Sequence, residues 1–194
     1  MSGAKAVWDM ECVPRLNQLE RIHAAAGGTH RGRRWGTEQL NRSLFVALVG
    51  QFQGYCRELH DEATQVYLCQ ANPRQVPALE TLLLGRRELD RRNPRRDALK
   101  NDFGRMGLQI VPALQYLYAR APVDIDRLEL LVRFRNAIAH GNESEVRSLV
   151  QGHRLRPTLS AYRSFKNAIN RLVGKLDAVV AAELASELGI TRPW

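Results

Sequence analysis

The sequence predicts an all-α protein, a helical bundle with a long C-terminal helix. Two observations carry that reading. Apolar residues recur in steps of three and four across Thr37–Ala71 and again across Thr158–Leu188, the spacing that lays them along one face of a helix. Thr37 and Thr158 stand as helix-start residues, and Gly141 and Gly189 as helix-stop glycines of the central and last helices, while no segment alternates polar and apolar residues as a half-buried strand would.

Taken in order, Ala6–Ala25 reads as a first helix with Val7, Cys12, Leu16, Leu19 and Ile22 as its apolar stripe, and Pro14 as a possible true start. Thr29–Gly36 is a basic loop, in which Trp35 could stack on a base or tuck onto the core. The next helix, Thr37–Ala71, is the most regular of the first half: Leu40, Leu44, Leu48, Phe52, Tyr55, Leu59, Ala63 and Val66 form its stripe. Gly50 and Gly54 share a face of it. Each costs about 1 kcal/mol relative to Ala in a helix interior, which close packing by another helix, of this chain or of a second copy, would explain. Of the acidic cluster Glu58, His60, Asp61 and Glu62, one carboxylate could orient a functional side chain, with the rest solvated.

Val76–Leu89 reads as a short helix bearing Leu79, Leu82, Leu83 and Leu84. It leads into the densest basic run, in which Arg86, Arg87, Arg91, Arg92, Arg95 and Arg96 set six arginines against two acids around Asn93-Pro94. Such a run is either a phosphate-binding edge or a solvated connection. Short helices follow near Arg95–Phe103 and Pro112–Arg120. Asp124 is positioned to cap a central helix running to about His140. Asn142–Arg156, with Arg147, His153, Arg154 and Arg156, reads as a polar connection. Tyr162, Phe165, Ile169, Leu172, Leu176 and Val179 then form the seam of the last helix, packed within the bundle or across a dimer.

At 194 residues the chain fits one domain, with residues 1–36 as N-terminal helix and loop, 37–188 as core bundle and 189–194 as tail. An apolar fraction of 44% suffices for a core. A net charge of +9 and a pI near 10.1 favour a polyanionic partner. The three cysteines, Cys12, Cys56 and Cys69, form no C-x-x-C pair, which argues against a disulfide framework and for a reducing cytoplasm. Cys56 and Cys69 fall in an apolar pattern and read as small core residues. No stretch approaches the roughly 18 uninterrupted apolar residues of a membrane span, so no membrane partner is expected. No Cys/His cluster or aspartate-rich signature marks a metal site, and no cofactor is expected.

The chemistry concentrates at the end of the central helix, where Val132–Glu143 places Arg135, Asn136 and His140 just before Gly141. At about 100° per residue, Glu129, Arg133, Asn136 and His140 fall on one stripe and Leu130, Leu131, Phe134, Ala137 and Ile138 on the opposite side. Arg135 lies roughly 140° around from His140. It must reach with its long side chain, act with a deformed helix, or serve a second subunit's site. Periodicity alone selects Arg133 as the arginine that works with His140.

The segment resembles the signature of the HEPN superfamily, an Arg, a polar residue, three variable residues and a His, here Arg135, Asn136, Ala137-Ile138-Ala139 and His140. The apolar helix before it, the Gly after the His and the helical surroundings strengthen the match. Leu44–Leu59 looks like the long second helix of such domains. The resemblance spans roughly Leu40–Leu188, and the RiboL-PSP type is one subfamily it suggests. It implies a metal-independent endoribonuclease, a toxin or defence RNase acting on RNA by 2′-hydroxyl attack, commonly homodimeric and paired with an antitoxin. On that pattern Arg135, Asn136 and His140 are the catalytic residues, with Arg135 rather than Arg133 holding the phosphate. The alternatives are a non-catalytic HEPN module that binds nucleotide, RNA or a partner protein, and a basic adaptor whose motif is merely a helix cap.

Overall fold

The computed structural model describes residues 1–26, 35–153 and 156–194. Residues 29–34 of the expected basic loop, and Arg154, lie outside them. The described residues are helical, without strands: α1 (Gly3–Val7), a π-helical turn (Trp8–Cys12), α2 (Val13–Ala26), α3 (Trp35–Gln70), α4 (Val76–Leu84), α5 (Glu88–Arg91), α6 (Arg96–Gly104), α7 (Ile110–Leu117), α8 (Ala121–Ala139), α9 (Glu143–Gly152) and α10 (Leu159–Leu188). None of these helices is long and apolar enough to cross a membrane.

Helices α3, α8 and α10 pack on one another and form the centre. Their shared contact is aromatic. Phe45 of α3 meets Phe134 of α8 edge-on at 5.1 Å, and Tyr162 and Phe165 of α10 at 6.0 and 5.8 Å. Such pairs add about 0.5–1.5 kcal/mol each beyond the area they bury. Phe134 is fully buried there, so the residues that follow it on α8 start from a fixed point.

The long last helix forms as its caps require. Thr158 Oγ1 accepts from Ala161 N at 3.2 Å, and Gly189, at φ 62°, closes the far end. Its predicted seam is buried throughout within this one chain. Gly50 and Gly54 differ: a Cβ at either would meet no described atom within 4 Å, so neither is explained by close packing of another described helix of this chain.

Several expectations are corrected by packing. Leu19 and Ile22 are exposed, and α2 instead buries Leu16, Glu20 and His23. The helix runs unbroken through Pro14, because the preceding π turn widens where a proline clashes with the carbonyl four residues back. Trp8, on that turn, packs edge-on to Phe52 and Tyr55, joining the N-terminal segment to α3. Cys56 is buried, but Cys69 is exposed near the end of α3. Helix α3 begins at Trp35, so Thr37 lies in its first turn rather than at the cap. Gly85 ends α4 early, splitting Val76–Leu89 in two, and Leu82 faces outward. Asp124 is not a cap. It is buried one turn inside α8 and accepts two bonds from Arg171 of α10, at 2.9 and 2.6 Å. Asn142–Arg156 is no mere connection, since it contains α9, anchored by buried Val146 and Leu149.

Two carboxylates of the α3 cluster serve the scaffold, while Glu58 is exposed. Glu62 accepts from the backbone N–H groups of Gly3 and Ala4, and Asp61 pairs with Arg87. His60 is buried against Phe103, where burial holds its pKa below the ordinary value.

Glu20 supplies a pH test. Burial works to raise its pKa, but hydrogen bonds from Lys166 and Arg163 of α10 outweigh that and hold it below the usual value. Its contribution to stability is therefore present above the unfolded-state pKa and is lost as pH falls through the folded one. Urea melts between about pH 6 and pH 3 should show Glu20→Gln losing less stability than the parent over the acid limb. Parallel curves would show that the pairing does not carry acid sensitivity.

Candidate active site

Helix α8 ends in a two-bond stop. Asn142 N donates to Ala137 O at 2.8 Å and Gly141 N to Ile138 O at 3.1 Å, with Gly141 at φ 63°. This paired geometry demands a residue that accepts the left-handed conformation, which is why glycine follows His140. The chain restarts at once. Asn142 caps α9, its Oδ1 accepting from Glu145 N at 3.1 Å and from Ser144 Oγ at 2.7 Å. His140 therefore stands exposed at a corner whose backbone is hydrogen-bonded on both sides.

A recess of about 250 Å³ opens beside it, lined by Arg95, Arg133, Asn136, Ala137, His140, Asn142 and Glu145. A second recess of about 360 Å³ is lined by Glu88, Arg91, Arg92, Asn93, Arg95, Asp97, Ala98 and Asn136. Arg95 and Asn136 line both, so the two flank that pair. The helix-end motif and part of the basic run, some forty residues apart in sequence, thus meet at one place.

The meeting point is Asn136. Its Oδ1 accepts from Asn93 Nδ2 at 2.9 Å and from Arg135 Nη1 at 3.2 Å. A guanidinium can only donate, so the oxygen must be the atom that faces Arg135. The amide nitrogen is then left for the recesses. Arg135 is turned to its neighbour Asn136 and lines neither recess. Its Nε is buried with no hydrogen-bond partner among the described residues. Arg133 does line the His140 recess, on the stripe that periodicity gives it, and donates to Glu145 Oε1 at 2.9 Å.

The six arginines of the basic run divide. Arg91, Arg92 and Arg95 line the second recess. Arg87 is buried and ion-paired with Asp61 and Asp90, so it is structural and not a phosphate contact. Arg86 and Arg96 are exposed but line neither recess. Glu129 binds the start of α6 through Arg96 N at 2.8 Å and approaches Arg95 Nε at 3.7 Å.

The short α5 that carries Arg91 is clamped. Asp102 accepts from the N–H groups of Glu88 and Leu89, both at 2.8 Å, and satisfies its first turn. At its other end Gln53 donates to the carbonyls of Leu89 and Arg92 at 2.8 and 2.9 Å, and Arg57 Nε to Leu89 O at 2.8 Å. Sequence reading missed Asn93, Asn142, Glu145 and Asp102. The Asn142-x-x-Glu145 spacing is a capping pattern and could have revealed α9; nothing local marks Asn93 or Asp102.

Chemically, the His140 recess offers an imidazole and hydrogen-bond donors (the Asn136 amide, Arg95, Arg133), with Glu145 as its carboxylate. Among the described residues no group of three or more His, Cys, Asp or Glu side chains converges as a metal would require. No protein-family model, curated protein or solved structure matches the chain.

Proposed function

We propose that this chain is a HEPN-type endoribonuclease that cleaves RNA by attack of a ribose 2′-hydroxyl on the adjacent phosphate. The supporting observation is that His140 shares its recess with donor groups suited to a phosphate: the amide of Asn136 and the guanidinium group of Arg95. In the proposed step the 2′-oxygen bonds to phosphorus as its proton leaves, and the bond to the 5′-oxygen breaks as that oxygen gains a proton. His140 carries one of these transfers. Donors around the phosphate stabilise the charge that builds on it, and Arg135 keeps the amide of Asn136 turned towards it. Because the nucleophile is already tethered beside the phosphate, no activated water is needed.

The products should be a 2′,3′-cyclic phosphate, or its opened 3′-phosphate, and a 5′-hydroxyl. Purified protein should cleave RNA in EDTA, leave DNA intact, and spare an RNA with a single 2′-deoxy residue at the cleaved position. Cutting of that deoxy-substituted RNA, or dependence on added magnesium, would sink the mechanism. A toxin or defence role, with an antitoxin as partner, belongs to the same proposal and is checked by growth arrest on expression. So does a homodimer, for which the open Gly50 and Gly54 face is available; light scattering should then give about twice the 22.0 kDa chain mass.

One observation favours a second reading, a non-catalytic HEPN module that binds nucleotide or RNA. Arg135 is turned to Asn136, and Arg133 is engaged by Glu145. Thermal stabilisation by nucleotide without any RNA cleavage would support it.

A further inference from the structure

We infer that Arg95, on the link between α5 and α6, is the phosphate-binding cation of this site, and that the ligand is a phosphodiester chain spanning both recesses. One phosphate would sit by His140 and Asn136 and a neighbouring one against Arg91 and Arg92. The inference rests on reading the His140 recess as a nucleic-acid site, but not on cleavage.

Three arginines lie close to Asn136, and their engagements differ. Arg135 donates to Asn136 and lines neither recess. Arg133 donates to Glu145 at 2.9 Å. Arg95 has a 3.7 Å approach to Glu129, its side chain is 42% exposed, and it lines both recesses. Of these three it is the one that lines both recesses, and its carboxylate contact is longer than that of Arg133.

Its backbone is nevertheless fixed. Arg95 N donates to Asn93 O at 2.7 Å, and Arg95 O accepts from Leu99 N at 3.0 Å as α6 begins. Asn93 itself is bonded to Asn136. With its backbone already held, only the side chain of Arg95 has to be ordered when a phosphate binds.

Beyond Arg95, the second recess adds Arg91 and Arg92, both exposed, beside the carboxylates Glu88 and Asp97. Glu88 is partly occupied by Asn101 Nδ2 at 2.9 Å. Arg92 approaches Glu88 Oε2 only at 3.5 Å, Arg91 pairs with no carboxylate among the described residues, and a lone phosphate adds no anion for them. A chain of phosphates supplies one, which makes a polynucleotide the better fit.

Fluorescence anisotropy with a labelled oligodeoxythymidylate about a dozen nucleotides long tests this, since DNA lacks the 2′-hydroxyl and cannot be cut by the proposed route. Competition with uridine 3′-monophosphate reports the single-phosphate site. Arg95→Ala should weaken both probes by about tenfold or more, the loss expected for a charge-assisted hydrogen bond. Arg91→Ala with Arg92→Ala should weaken the oligonucleotide but leave the mononucleotide unchanged. The slope of log affinity against log salt should be about −1.4 for two phosphates neutralised on a single strand, and shallower by about 0.7 in Arg95→Ala. Arg95→Lys should recover part of the loss, which a change in folding would not. Parent-like affinity and slope in Arg95→Ala overturn the assignment. Equal weakening of both probes by the Arg91/Arg92 pair overturns the two-phosphate arrangement. A parent protein that binds neither probe removes the inference, even if it cleaves RNA. Binding that behaves as expected without cleavage removes the nuclease reading alone.

Discussion

His140→Ala is expected to lower RNA cleavage by about 10²–10⁴-fold, the usual worth of a positioned acid or base, with no change in melting temperature. His140 is exposed and its side chain closes no core contact. Its structural service is through the backbone, where His140 N donates to Asn136 O at 3.0 Å, and alanine keeps that bond. Arg135→Ala should also lose most activity, by releasing the amide of Asn136 to rotate. Because that loss acts through another residue, it should appear in kcat more than in KM. Arg133→Ala should cost much less, since its contact with Glu145 joins α8 to α9 on the surface. Single-turnover cleavage by the three variants, alongside their melting curves, gives the comparison. A dead Arg133→Ala beside a healthy Arg135→Ala would reverse the assignment of the two arginines. A fully active His140→Ala would end the acid–base proposal.

The parts of the fold that could be read from sequence were those governed by local rules. Thr158 and Gly189 bracket α10 because caps act within one turn, and the stripe of α3 is buried from Leu44 to Ala63, with Leu40 and Val66 half-buried at its ends, because its apolar residues are regular. The stop at Gly141 was legible for the same reason. Long-range pairing was not. Asp124 resembles a cap in sequence, and only Arg171, distant in the chain, makes it an inter-helix ion pair. The buried face of α2 was misread because Glu20 is there to pair with Lys166 and Arg163, and a charged residue does not register in an apolar stripe. Helix α9 was missed because Val146 and Leu149 are few among polar residues, and burial against α8 supplies what propensity does not. At the site, Arg133, Asn136 and His140 were placed on one stripe by helix geometry alone, and they do line one recess. That Arg95 joins them, and that Arg87 does not, depends on how the α5–α6 link folds back onto α8.

Asp102→Ala should show how far that link depends on the core. Asp102 is fully buried, and its two oxygens accept from Glu88 N and Leu89 N, with Arg105 3.7 Å away. Alanine leaves two N–H groups at the start of α5 without their acceptor. Hydrogen bonds to a charged group are worth about 1.5–3 kcal/mol each, and release from burying a carboxylate returns part of that, so a net loss of about 2–4 kcal/mol is expected. In a chain of this length that corresponds to roughly 5–15 °C in melting temperature. A four-residue helix cannot hold itself in water, so α5 should loosen first, although Gln53 and Arg57 still grip its far end. Oligonucleotide affinity measured well below the melting transition should then fall, with Arg91, Arg92 and Arg95 all still present, because none of them would be held in register with Asn136. Asp102→Asn keeps one acceptor oxygen and should lie between parent and alanine in both measurements. If Asp102→Ala melts early but binds as the parent does, the clamp stabilises the fold without positioning the arginines. If it melts with the parent, α5 does not depend on this carboxylate.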